Sequence, residues 1–184
     1  NLSCAIACAF CMNINVNKII KTIKRIKNPP GRMEKVKLAR NKYDVYIDYA
    51  HTPDALKKIL INYTIKNKKP NVVFGCGGNR DVKKRSAMGI IANKYAEKIY
   101  ITDDNPRKEN PKNIRKSILS KCKRGKEISN RKKAIEKSIK ELEKNEILII
   151  AGKGHEKIQI NKTNSKFFDD YLIAKQELTK KLSL

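Results

Sequence analysis

The chain has 184 residues, 40% of them hydrophobic, enough for one ordinary domain and part of a second and too apolar for a disordered tail. Its formal charge of +25 raises nucleic acid as a partner, because a cationic face gains affinity by releasing counterions from phosphate. The lysines are spread over nearly every segment instead of gathering in one arm, so the charge reads as a solvated surface and no nucleic-acid partner is expected.

Residues 1–27 carry apolar side chains at helical spacing, Leu2, Ala5, Ile6, Ala9 and Phe10, then Ile19, Ile20, Ile23 and Ile26. They predict two short helices that stop before Asn28-Pro29-Pro30-Gly31, which marks a domain boundary. The chain opens on Asn1 directly into this pattern with no cap before it, and reads as a fragment whose upstream part is missing. Cys4, Cys8 and Cys11 share one face of the first helix. With Cys76 and Cys122 they form an odd set without paired Cys-x-x-Cys motifs, so burial as small hydrophobes is expected over disulfides or zinc. No stretch reaches the roughly 18 uninterrupted apolar residues of a membrane helix, and residues 2–12 lack a signal peptide's basic flank and cleavage site. A cytoplasmic protein with no membrane partner is expected.

Beyond residue 28, apolar runs at 45–47, 72–74, 99–101 and 147–150 alternate with helical patterns at 53–62, 84–95, 111–121, 131–142 and 171–182. The rhythm predicts an α/β fold, a Rossmann-like, mostly parallel sheet with helices on both faces, spanning 29–184 and preceded by a helical piece at 1–28. In such sheets ligands bind beyond the carboxyl ends of the strands. The segments that follow the four runs hold both histidines and most of the glycines of the chain, which places a site there.

After the first run comes Asp48-Tyr49-Ala50-His51-Thr52-Pro53. Thr52 is placed to cap a helix and Pro53 to start it, whereas Asp48 and His51 are free to hold a ribose, a phosphate or an adenine edge. After the second, Gly75-Cys76-Gly77-Gly78-Asn79-Arg80-Asp81 resembles a phosphate-cradling turn, but it fits neither the Walker pattern nor the dinucleotide fingerprint, and a tight packing turn is the plain alternative. After the third, Pro106 in Asp104-Asn105-Pro106-Arg107 stiffens the loop and presents Arg107 on a rigid support suited to bidentate carboxylate recognition. After the fourth, Gly152-Lys153-Gly154-His155-Glu156 pairs a backbone open to close approach with an acceptor for an ammonium group. His155 and Glu156 are a poor metal pair, since neighbours in an extended segment point to opposite faces. Arg80, Arg107 and Glu156 together supply the charge complement of an amino acid with an extra carboxylate.

These motifs, with Gly31-Arg32-Met33-Glu34 before them, occur in an order that resembles the Mur ligases, in the branch of UDP-N-acetylmuramoyl-tripeptide synthetases; they cover residues 30–156, and the helix at 1–10 resembles the end of that family's central domain. The resemblance implies an ATP- and Mg2+-dependent ligase of peptidoglycan synthesis. It phosphorylates the free carboxylate of UDP-MurNAc-L-Ala-D-Glu, and an incoming amine attacks the acyl phosphate. It further implies that Arg80, Asp104, Asn105, Pro106, Arg107, Gly152 and Glu156 form the amino-acid pocket and that Arg32, Asp48 and His51 close on ATP, with Asn1 near the adenine. The whole enzyme is expected to be a monomer. Arg107 resembles the diaminopimelate-adding members: meso-diaminopimelate ends in a carboxylate that a guanidinium can clamp, and lysine does not. The family's phosphate loop, magnesium ligands and modified lysine belong to the upstream region. No catalytic residue or metal ligand is therefore expected here, and the chain alone should not make an amide. The rivals are a lysine-adding or folylpolyglutamate-type relative with the same fold, and a basic nucleic-acid-binding domain. The second predicts duplex DNA binding that weakens steeply with salt, and leaves the ordered loops without a purpose.

Overall fold

In the computed structural model, which describes residues 2–38, 42–64, 68–162 and 164–183, the four apolar runs are β2 (Asp44–Asp48), β3 (Asn71–Phe74), β4 (Ile99–Ile101) and β6 (Ile147–Ala151). With β1 (Glu34–Lys35) and β5 (Gly125–Glu127) they form one sheet in the order β1-β2-β6-β3-β4-β5. It is parallel throughout except at β1, which runs antiparallel to β2. The two outer strands carry Glu-Lys and Gly-Lys-Glu, charged as sheet edges commonly are, and an apolar-run criterion passes over them. A separate pair, β7 (Ile158–Ile160) with β8 (Ser165–Phe167), is antiparallel.

The inner strands are apolar at successive positions because both faces of the sheet are covered. Val72, Phe74, Ile147, Ile149 and Ala151 meet Leu56 and Leu60 of α3 (Pro53–Asn62), Met88 and Ala92 of α4 (Lys83–Tyr95), and Ile114 and Ile118 of α5 (Pro111–Leu119). The alternating set, Val73, Leu148 and Ile150, meets Ala134, Ile135 and Ile139 of α6 (Arg131–Lys140) and Ala174 and Leu178 of α7 (Asp170–Leu182). Each large side chain so buried contributes about 1.5–3 kcal/mol of transfer free energy. The expected α/β architecture is the one observed.

Helix starts follow local chemistry. The Thr52 hydroxyl accepts from the Ala55 N–H at 3.3 Å, and Pro53 occupies the first turn of α3, where its missing N–H leaves nothing unmade. Asn110 with Pro111 repeats the device at α5, and Asn130 and Asp169 cap α6 and α7. Because every parallel strand runs the same way, the segments after β2, β3, β4 and β6 emerge at one edge of the sheet.

The amino-terminal pattern gives α1 (Leu2–Cys11) and α2 (Val16–Ile23), neither of which buries a residue. This corrects one expectation. Cys76 and Cys122 are buried, but Cys4, Cys8 and Cys11 are exposed, since their helix has no sheet beneath it. Among the described residues no helix is long and apolar enough to cross a membrane.

Candidate functional site

At the carboxyl edge of the sheet lies a cavity of about 470 Å³ walled by all four post-strand segments. His51, Arg80, Asp104, Asn105, Arg107, Gly152 and Glu156 all line it, so the two guanidiniums and the carboxylates singled out from the sequence face a common space. Pro106 does not: its carbonyl oxygen would stand 1.9 Å from a Cβ at Gly78, so Pro106 shapes the loop and Gly78 must remain a glycine for the loops to touch. Asn1 lies outside the described residues.

The floor is organised by Asn105 and Lys153. The Asn105 side-chain amide donates to Glu156 Oε2 at 2.9 Å, while its oxygen accepts from Lys153 Nζ and the Ile160 N–H, both at 3.0 Å. Lys153, wholly buried, also donates to Glu156 Oε2 at 3.2 Å and to the Ile158 carbonyl at 2.6 Å. Burial of an ammonium group is tolerated because each of its protons has an acceptor. One Glu156 oxygen is thus engaged twice, whereas Oε1 accepts no hydrogen bond among the described residues. Asp104, 8% exposed, presents a carboxylate that no side chain or N–H among the described residues bonds. Gly152, at φ +114°, permits this placement, since a Cβ there would lie 2.7 Å from Asp104 Oδ2.

On the opposite wall, Arg107 Nη1 donates to the Gly78 carbonyl at 3.1 Å, which fixes one corner of the guanidinium and leaves other N–H donors for a carboxylate. Arg107 sits at φ +53°, a left-handed conformation disfavoured for a side chain of this size. Arg80 is exposed at the mouth, beside Lys84 and Asp81.

Arg32 and Asp48 are not brought to this cavity. Asp48 is buried, and its two oxygens accept from the Met33 N–H at 2.8 Å and the Ala50 N–H at 2.7 Å. It therefore tethers the turn that carries Arg32. That turn is further closed by Glu34, which accepts from the Gly31 N–H at 2.7 Å. Arg32 lies over the Tyr49 ring, 4.6 Å from its centroid, and His51 and His155 flank the same ring at 4.5 and 5.3 Å. A cationic and aromatic surface results beside the cavity mouth. It depends on backbone contact between Gly31 and Gly154, because a Cβ on Gly31 would fall 2.1 Å from the His155 nitrogen.

Sequence reading missed the ties behind these walls. Arg85 of α4, 2% exposed, forms a fork with Glu109 at 2.6 and 2.7 Å. Arg131 and Asp170, both wholly buried, join α6 to α7, and Arg131 also holds the Ala151 carbonyl at 3.0 Å where β6 ends. The available signal was an arginine in register with Met88 and Ala92 on the buried face of α4, a place that demands a partner.

The family model for the Mur ligase glutamate ligase domain matches residues 31–154, the stretch that holds the parallel sheet and all four cavity-forming segments but the last two residues. A curated UDP-N-acetylmuramoyl-L-alanyl-D-glutamate–2,6-diaminopimelate ligase from Rickettsia felis is 44% identical over 96% of this chain, which spans 33% of that protein. One of the same name from Buchnera aphidicola is 41% identical over 98% of the chain and 36% of its own length. The chain thus spans about a third of the length of the curated relatives it matches. A solved structure of a ligase so named superposes with a TM-score of 0.76 at 30% identity, over 97% of this chain and 37% of that one. A folylpolyglutamate synthase from Thermotoga maritima shares the fold at a TM-score of 0.55 and 17% identity, over 91% and 34%. With the family's domain running through the whole parallel sheet, this chain belongs to the Mur ligases.

Proposed function

We propose that the chain is the amino-acid-binding part of an ATP-dependent ligase that adds meso-diaminopimelate to UDP-MurNAc-L-Ala-D-Glu. The names of the relatives support this reading, and the observation that carries it is one cavity walled by Arg80, Arg107, Asp104 and Glu156. In this reaction ATP phosphorylates the D-Glu carboxylate, leaving ADP, and the diaminopimelate amine attacks the acyl phosphate carbon, forming the amide as inorganic phosphate and a proton leave. On this chain, Arg107 clamps the distal carboxylate, Arg80 at the mouth draws in and steadies the ligand, and Asp104 with Glu156 Oε1 receives an ammonium group. Asn105 and Gly152 hold these acceptors in place, and Pro106 fixes the loop. Their contribution is orientation of an amine toward an activated carbonyl, the part of catalysis that binding geometry supplies.

ATP fits the Arg32, Tyr49, His51 and His155 surface, whose planar rings and cation suit a nucleobase and its phosphates, with Asp48 holding Arg32 in position. The described residues do not fit magnesium: no three His, Cys, Asp or Glu side chains among them converge as ligands. We assign residues 1–28, which carry α1 and α2, to the ATP-binding domain of the ligase, since neither helix holds a buried residue. A cytoplasmic monomer is the corresponding proposal for the whole enzyme.

The test is an NMR-detected titration of this chain with meso-diaminopimelate and with L-lysine. We expect diaminopimelate to perturb the cavity resonances and Arg107→Ala to weaken it by about tenfold to a hundredfold, the range for a charge-assisted hydrogen bond. Equal affinity for the two amino acids in the wild type would sink the diaminopimelate assignment.

A further inference from the structure

Two loops carry the arginines of the cavity, and they are joined by polar contacts, some made by the backbone of lining residues and some by side chains behind the wall. The Gly78 N–H donates to the Asn105 carbonyl at 2.9 Å, the Lys108 N–H to Asn79 Oδ1 at 3.0 Å, and the Asn79 N–H to Glu109 Oε2 at 3.1 Å. Glu109 in turn receives both arms of Arg85, whose Nη2 also reaches the Gly77 carbonyl at 3.4 Å. Neither Arg85 nor Glu109 is part of the cavity wall.

Each loop also holds a non-glycine residue in left-handed backbone, Asn79 and Arg107, both at φ +53°. Such conformations persist only where surrounding bonds over-determine them, and they concentrate at ligand sites. A buried arginine is a poor device for stability alone, because the desolvation of the ion pair offsets much of its attraction. Here the mismatch is visible, since Arg85 Nε is buried with no hydrogen-bond partner among the described residues. What a fork of two parallel hydrogen bonds does supply is angle as well as distance.

We propose, resting on the reading of the cavity as a diaminopimelate site, that the Arg85–Glu109 pair is its positioning element. The pair locks the Arg80 loop to the Arg107 loop and thereby sets, before ligand arrives, where the distal carboxylate is held. Arg85 and Glu109 are positioning residues, not catalytic ones. The consequence is specific: loosening the pair moves the carboxylate clamp and leaves the ammonium acceptors, which hang on Asn105 and Lys153, where they are. Discrimination between a diacid and lysine therefore depends on two side chains that contact neither.

The experiment titrates this chain with meso-diaminopimelate and L-lysine by NMR, in the wild type and in Glu109→Ala, Glu109→Gln and Arg85→Lys. For Glu109→Ala and Glu109→Gln we expect diaminopimelate to weaken by about tenfold or more, as for loss of a charge-assisted hydrogen bond to its distal carboxylate, with lysine changed less than about threefold. Arg85→Lys, which keeps the charge and loses the fork, should fall between these and the wild type. Proportionate weakening of both ligands, or an unchanged diaminopimelate affinity, overturns the proposal. A wild type that does not bind diaminopimelate overturns the cavity reading and this pairing with it, whereas a binding wild type with unaffected variants overturns the pairing alone. A circular-dichroism melt controls for fold; if Glu109→Ala melts below the working temperature, the near-isosteric Glu109→Gln carries the comparison.

Discussion

Arg107 is asked to do two things that conflict. Its side chain must reach the cavity from a backbone held at φ +53°, which for a non-glycine residue costs about 1–2 kcal/mol relative to ordinary conformations. Replacing it separates the two demands, because both Arg107→Ala and Arg107→Gly lose the guanidinium and only the second relieves the backbone. We expect Arg107→Gly to be more stable than Arg107→Ala by about 1 kcal/mol in urea unfolding, less whatever freedom glycine adds to the unfolded chain. Equal midpoints for the two would mean that the loop carries no strain. At this scale the sequence marked residues that meet at one cavity and was silent about their backbone: the Asp104-Asn105-Pro106-Arg107 spacing announces a rigid loop, but a left-handed arginine carries no compositional mark. Asp48 shows the converse. It stood out as an acid at a strand end, yet both its oxygens are spent on the Met33 and Ala50 amides, a local bonding pattern that only the folded turn reveals.

Elements were legible where burial repeats. The helix patterns at 53–62 and 84–95 fall on α3 and α4, and the four apolar runs fall on the four inner strands, because two-sided burial writes itself into consecutive Val and Ile. Strands β1, β5, β7 and β8 were not legible, since their side chains are mostly exposed and no apolar run marks them. The tie between α6 and α7 was equally hidden. Arg131 and Asp170 lie 39 positions apart and look like two more surface charges in a lysine-rich chain, although both are wholly buried. Removing one partner strands the other, so we expect Asp170→Ala to destabilise the fold by about 3–5 kcal/mol in chemical denaturation. Arg131→Met combined with Asp170→Leu should recover most of that loss. A single Asp170→Ala cost below about 1 kcal/mol would show that the pair is not isolated from water as its burial implies.

For the molecule as a whole, the charge of +25 and the chemistry of the cavity are nearly independent. The excess lysines stand mainly on exposed positions, whereas the basic groups that organise the site, Lys153, Arg85 and Arg131, are among its most buried side chains. Net charge therefore says little about what the protein recognises; the one-edge convergence of four loops says more, and it follows from parallel topology before any side chain is considered. The five cysteines divide along the same line between surface and interior. Cys4, Cys8 and Cys11 lie open on α1, while Cys76 forms part of the cavity wall, 3% exposed, with burial pushing its thiol up to about 12. A thiol reagent added to the native protein will thus consume three sites at once and the wall site slowly. Cys122 is buried as well, so the lag before the Cys76 adduct, read by peptide mass, is the clock for breathing of the pocket, and an amino acid that occupies it should slow the hands.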